Sequence, residues 1–259
     1  MPDQYVSEFL SRARPGLIGH RLLYYPSLPS TMEPAKKLAR EGAEEGTVIL
    51  AGEQTGGRGR MGRTWISPAG MSISFSVILH PAIPQLAQMN MVASLAVCRG
   101  IKNVTGLEPR IKWPNDILIR GKKVSGILIE NEFEGEQLVA AIIGVGINVN
   151  LDPGAFSEIS EIATSLSSET GRSISSSDTL YSVLDALEEI YADLRNGKDV
   201  YEQWLPLVET IGKTVQVRYG ETILQGVAES VDPEGRLVLR EPDGKHWHMV
   251  AGEVTFQTD

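Results

Sequence analysis

The chain has 259 residues with 24 Lys and Arg against 33 Asp and Glu, a net charge of −9, which counts against a nucleic-acid binder, whose mark is a basic face. Hydrophobic residues make up 42% and charged residues 22%, as expected of a soluble chain with one sizeable core, alone or with a small appendage. The single cysteine, Cys98, excludes a disulfide framework and a cysteine zinc cluster. No apolar run approaches membrane-spanning length and no signal-peptide core opens the chain, so a cytoplasmic protein without membrane contact is expected.

Residues 1–20 read as an irregular or partly helical lead-in, followed by a strand at Leu22–Tyr25. Ser30-Thr-Met-Glu33 has capping-box spacing and opens a helix through Arg40, ended by Gly42. Strands are expected at Thr47–Gln54 and Met71–Leu79, and a helix over Pro84–Val104 whose stripe carries Cys98. Arg110–Ile117 reads as strand-like on either side of Pro114, which places Asn115 and Asp116 at a bend. Strands follow over Lys123–Glu130 and Gln137–Asn150, with turns at Gly121 and Gly135. Residues 151–177 are rich in Ser and Glu, with a linker at Ser173–Ser177. A helix then starts at Ser177 or Asp178 and closes at Gly197, and a second covers Val200–Leu207. From Lys213 the pattern turns to short strands at Thr214–Tyr219, Thr222–Ser230, Leu237–Arg240 and His246–Val250, the last with His246 and His248 as surface residues. Strands and helices come in separate blocks, so the expected class is α+β with a mixed sheet. Domains are expected at 1–210 and, as a small β-barrel, at 211–259.

Between the second and third strands lies Gln54-Thr-Gly-Gly-Arg-Gly-Arg-Met-Gly-Arg-Thr-Trp65. Glycines let backbone N–H groups approach a ligand, and guanidinium groups offer forked donors to carboxylate or phosphate. The run spells G-x-G-x-x-G, but a strand and not a helix follows it, so the dinucleotide fingerprint is rejected. A solvated basic loop remains the plain alternative. Two further clusters, Lys112-Trp-Pro-Asn-Asp116 and Lys123-Val-Ser-Gly126, add cations and polar ligands suited to displacement at phosphorus. No Walker loop or kinase signature is present.

These runs, with Gly144-Val-Gly-Ile-Asn-Val-Asn150, resemble in order and spacing the biotin–protein ligases. The resemblance covers residues 21–259. It implies a catalytic domain like those of class II aminoacyl-tRNA synthetases and biotin–lipoate ligases, with a small C-terminal SH3-like β-barrel. With only about 20 residues before the first core strand, the chain resembles the ligase-only class without the N-terminal DNA-binding module. The implied reaction is attack of the biotin carboxylate on the α-phosphorus of ATP, giving biotinyl-5′-AMP and pyrophosphate. A lysine of a biotin carboxyl carrier domain, part of a biotin-dependent carboxylase, then takes the acyl group.

Carried over by matching position, Ser30, Thr31, Gln54, Gly57, Arg58, Arg60, Lys123 and Gly126 are implied to bind biotin. Arg60, Arg63, Trp65, Lys112, Asn115, Lys123 and Asn148 are implied for ATP and the adenylate, with Mg²⁺. Arg60, Lys112, Asp116 and Lys123 are the implied catalytic residues. Asp116 has two open roles, base for the acceptor amine or Mg²⁺ ligand. Met32 stands where many members have Asn. The loop at 56–65 is expected to be mobile without ligand and to close over the hydrolysable adenylate. Other readings are a lipoate–protein ligase-like transferase, a biotin-responsive DNA-binding regulator and an inactive sensor; exposed sheet edges suggest a homodimer.

Overall fold

The computed structural model describes residues 14–257. Residues 1–13 of the expected lead-in fall outside the described residues, and 16–21 are bends and turns. The elements are β1 (Leu22–Tyr25), α1 (Met32–Arg40), β2 (Val48–Ala51), β3 (Ser72–Leu79), α2 (Met89–Thr105), β4 (Arg110–Lys112), β5 (Asp116–Ile119), β6 (Lys122–Glu134) and β7 (Gln137–Asn148). They continue with α3 (Leu166–Thr170), α4 (Ser176–Arg195), α5 (Tyr201–Trp204), β8 (Thr214–Tyr219), β9 (Thr222–Val231), β10 (Leu237–Arg240), β11 (His246–Met249) and β12 (Glu253–Phe256). Among the described residues two sheets result, one ordered β1-β2-β3-β7-β6-β5-β4 and one ordered β11-β10-β9-β8-β12. In the first, β1 and β2 are parallel and every other ladder is antiparallel. The class is therefore α+β with a mixed sheet.

The alternation of β3 explains how the large sheet is used. Successive strand residues point to opposite faces, so Ile73, Phe75 and Val77 join the core under α2 and α4, while Ser72, Ser74 and Ser76 point to the other face. All eight residues of β3 are nonetheless buried. The core side relies on apolar burial, each large side chain stabilising by about 1.5–3 kcal/mol. Gly100 allows α2 and α4 to touch, since a Cβ there would lie 2.4 Å from Val183 Cγ2 and 2.7 Å from its Cα. Cys98 is 3% exposed in this core, and burial pushes its thiol up to about 12. The serine face is covered by α1, which packs on β2, β3, β6 and β7, and further along the strands by the Gly-Arg loop.

Several expectations need correction. The capping box at Ser30–Glu33 does not form: Thr31 is itself helical (φ −70°, ψ −20°) and makes no side-chain cap. Its hydroxyl is engaged by Gln54 and Ser76, and Glu33 pairs with Lys36 and Arg58. The helix expected at Pro84–Val104 begins as a 3-10 turn over Ile83–Gln88, and its α part is α2. The serine run at 173–177 is not a linker. Ser175 caps α4, accepting from the Asp178 N–H at 3.1 Å, and Ser176 and Ser177 are buried. The C-terminal sheet has a fifth strand, β12, which pairs with β8. No ladder joins β11 to β12 among the described residues.

The two sheets meet around Trp113, whose backbone N–H donates to Thr210 Oγ1 and whose Nε1 donates to Gly235 O, both at 2.9 Å. Tyr201 adds a hydrogen bond to Val231 O at 2.6 Å.

Candidate active site

A side-chain-free floor is the foundation of the site. In β7, Gly144, Gly146 and Asn148 share the serine face of the sheet, and Gly146 pairs with Gly126 of β6. Two side chains lie where Cβ atoms would otherwise be. A Cβ on Gly144 would be 2.6 Å from Met32 Sδ, and one on Gly146 would be 2.3 Å from Trp65 Cε2. The Trp65 indole also reaches the Gly126 position at 3.5 Å, and Lys123 Nζ lies 5.8 Å from its ring centroid. The indole Nε1 is buried without a hydrogen-bond partner, as is Ser72 Oγ, which is 1% exposed.

One end of the resulting cleft is neutral and polar. Thr31 donates its N–H to Gln54 Oε1 at 2.8 Å, Thr31 Oγ1 and Ser76 Oγ are 2.7 Å apart, and Ser76 donates to Met32 Sδ at 3.3 Å. Ser30 Oγ accepts from the Met32 N–H at 3.3 Å. Such groups can both donate to and accept from a neutral polar ligand.

The Gly-Arg loop roofs the cleft. Trp65 N–H donates to Gly57 O at 2.9 Å and Gly59 N–H to Arg63 O at 2.7 Å. A Cβ on Gly57 would meet Trp65 O at 2.4 Å, so the close strand approach here requires glycine. The three arginines diverge. Arg58 pairs with Glu33 of α1, Arg60 donates to Asn115 Oδ1 at 3.0 Å, and Arg63 pairs with Glu253 of β12. Arg60 is held below the usual guanidinium range by burial, which Asp116 opposes.

At the far end the charges gather. Lys112 and Asp116 face each other in the β4–β5 ladder, and Lys123 Nζ is 2.6 Å from Asp116 Oδ1. Burial is the first cause of a lowered Lys112 pKa. Asp116 opposes it, while Lys123, Arg63 and Lys213 push further down. Lys112 Nζ also stands 5.0 Å from the Phe256 ring centroid. Asn115 is fixed by exchange with Ile127, its Nδ2 donating to Ile127 O at 2.7 Å while Ile127 N–H donates to Asn115 O at 3.0 Å. This bend contains a cis Trp113–Pro114 peptide.

The cleft, about 470 Å³ with its open mouth, is thus lined by Ser30, Thr31, Gln54, Arg58, Arg60, Trp65, Asn115, Lys123 and Gly126 from the sequence-derived set. Asp116 and Lys112 adjoin it through Lys123. Gly57 shapes the roof. Asn148 is buried beside it, donating to Thr164 O at 3.0 Å. Arg63 is directed elsewhere, to a second cleft it shares with Gln216, Arg218, Glu253 and Thr255. The sequence reading did not include Gly144, Gly146, Met32 or Leu128 in the site. The first two had a visible signal, since glycines two apart in a strand bare one face. Met32 had only that of a departure after Ser30-Thr31, and Leu128 had none, because an apolar strand residue reads as core.

Residues 24–148 match the biotin/lipoate A/B protein ligase family and residues 210–256 the biotin protein ligase C-terminal domain. The bifunctional ligase/repressor BirA of Bacillus subtilis is 39% identical over 233 residues, spanning 88% of this chain and 72% of that protein. The biotin–[acetyl-CoA-carboxylase] ligase of Paracoccus denitrificans is 34% identical over 239 residues, 88% of this chain and 97% of the relative. Among solved structures, the biotin protein ligase of Aquifex aeolicus in complex with biotin and ATP superposes with a TM-score of 0.78 at 28% identity, covering 92% of this chain and 99% of that one. A relative 34% identical and matched over nearly its whole length, with family matches in both parts of the chain, shows that the chain belongs to the biotin protein ligase family.

Proposed function

We propose that the chain activates biotin with ATP to biotinyl-5′-AMP and transfers the acyl group to a lysine of a biotin carboxyl carrier domain. The observation that carries this is a single cleft with a neutral hydrogen-bonding end (Ser30, Thr31, Gln54) and a cationic end (Lys123, Arg60, with Lys112 adjacent). A ureido ring suits the first and a carboxylate meeting a polyphosphate needs the second, because like charges must be brought together there. Lys123 and Arg60 lie where they would hold the acid against the α-phosphate, and Lys112 would add charge for the nucleotide. Arg63, on Glu253 in this structure, would have to leave that partner to reach phosphate. Trp65 and Asn148 are the residues to which we assign the adenylate. Asp116, released by Lys123 when the latter meets the carboxylate, would take the proton of the acceptor amine.

No cluster of three or more His, Cys, Asp or Glu able to hold a metal occurs among the described residues. The donors suit a Mg²⁺ delivered with the nucleotide and held chiefly by phosphate oxygens; a single protein carboxylate on that ion is the alternative role for Asp116, in place of the base. No helix among the described residues is long and apolar enough to cross a membrane. We also propose that the 56–65 loop loosens without ligand, that function is cytoplasmic and DNA-independent, and that sheet edges pair two copies. Biotin-dependent exchange of pyrophosphate into ATP, followed by label transfer to an isolated carrier domain, tests the reading. Exchange with lipoate in place of biotin would overturn it.

A further inference from the structure

We infer that Met32 sets the depth of the neutral end of the cleft and so selects the size of the ring system carried by the acid. The inference rests on the biotin-activating reading above, which fixes the ligand's direction. Its carboxylate must lie at Lys123 and Arg60, so its ring lies toward Ser30, Thr31 and Gln54. The wall it meets there is a thioether. Met32 is 3% exposed, lines the cleft, and places Sδ where a Cβ of Gly144 would come within 2.6 Å. Behind it Ala35, Ile78 and Ile142 belong to the same buried cluster, under α1. The methionine is therefore the partition between cleft and core.

Its position is held from two sides. The neighbouring Thr31 N–H is bonded to Gln54, and Ser76 donates to the sulfur itself at 3.3 Å. Gly144 leaves it room on the floor. A filler of core alone would tolerate shortening at the cost of an empty cavity. Here the space vacated by Met32 would open into the cleft, where a larger ligand can fill it. One methylene in an apolar pocket changes selection by about 10–200-fold, so the effect should be measurable.

The experiment compares wild type with Met32→Ala, Met32→Val and Met32→Leu by acid-dependent pyrophosphate exchange. The acids are biotin, two biotins carrying an ethyl group on one or other ureido nitrogen, and homobiotin, one methylene longer in its side chain. Expected is a rise of about 10-fold or more in the kcat/KM of at least one ring-ethylated acid relative to biotin in Met32→Ala. Met32→Val should give a smaller rise in the same direction, and decides the matter if the alanine variant does not fold. Met32→Leu, similar in volume, should keep the wild-type ranking. Unchanged ratios in the folded variants would overturn the inference, as would an equal gain for homobiotin, which would signify general loosening. Absence of exchange with biotin in the wild type is a separate result that removes the reaction itself.

Discussion

Lys123 Nζ and Asp116 Oδ1 stand 2.6 Å apart, joined across adjacent strands at the cationic end of the cleft. The pairing keeps a carboxylate beside the cation assigned to the acid, where it would otherwise repel an incoming anion. On the proposed reaction, Lys123 drawn to the ligand would leave Asp116 free to meet the acceptor amine. Asp116→Asn should slow transfer to the carrier by about 10²-fold while biotin-dependent exchange changes by less than about 10-fold, the range of lost general-base catalysis. Single-turnover transfer from preformed adenylate measures it. Equal losses in both half-reactions would instead make Asp116 a nucleotide or metal ligand.

Arg60 closes the roof through Asn115, at 3.0 Å. Arg60→Gly removes both that closure and one cation, so exchange should fall yet persist, while the adenylate escapes at least about 10-fold faster, well within what one preorganised donor is worth. Labelling of a bystander protein bearing surface lysines should rise with time. Retention of the intermediate as in wild type would refute a closing role for the loop.

Lys112 gives a pH signature. Its pKa is lowered by burial and by its cationic neighbours against the opposing pull of Asp116. The charged form, which attracts phosphate, is present below the lowered value and lost as pH rises through it. The KM for ATP should therefore begin to climb below the ordinary lysine value of about 10.4. In Lys112→Arg the guanidinium stays charged, so that limb should move to higher pH. An unmoved limb would assign it to another group.

Gly146→Ala would put a methyl group 2.3 Å from Trp65 Cε2. The strand itself should accept alanine, which removes the roughly 0.5–1 kcal/mol entropic penalty of glycine. The indole, not the sheet, should be displaced: a retained circular dichroism spectrum, red-shifted tryptophan emission, and a kcat/KM for biotin lower by about 10-fold or more. Unchanged emission and activity would show that the floor does not position Trp65.

The motifs were legible because their chemistry is local. Three arginines among glycines, Lys112 to Asp116 and Lys123 to Gly126 read as charge wherever the chain takes them, and the structure gathers Arg60, Asn115, Lys123 and Gly126 on one cleft. What escaped depends on partners distant in sequence. Arg63 looks like its neighbours until Glu253, 190 positions later, is found beside it. Met32 stands out in the sequence only as a departure after Ser30-Thr31, and its place as a cleft wall depends on β7 offering Gly144. The run Ser173–Ser177 has a linker's composition, yet Ile174 is buried and Ser175 caps α4, because Asn150 Oδ1 accepts the Ile174 N–H at 3.0 Å. Strand β12 is four residues long and depends on β8 for its pairing.

Because Cys98 is the chain's sole thiol and its pKa is pushed up to about 12 inside the α2 core, maleimide reagents should leave the unaltered protein unlabelled. A fluorophore can then be placed on the roof through Met61→Cys, at a side chain 55% exposed, without removing any native residue from the interior. The buried sulfur thereby makes the molecule suited to a direct reading, in real time, of whether its loop moves when biotin and ATP are added.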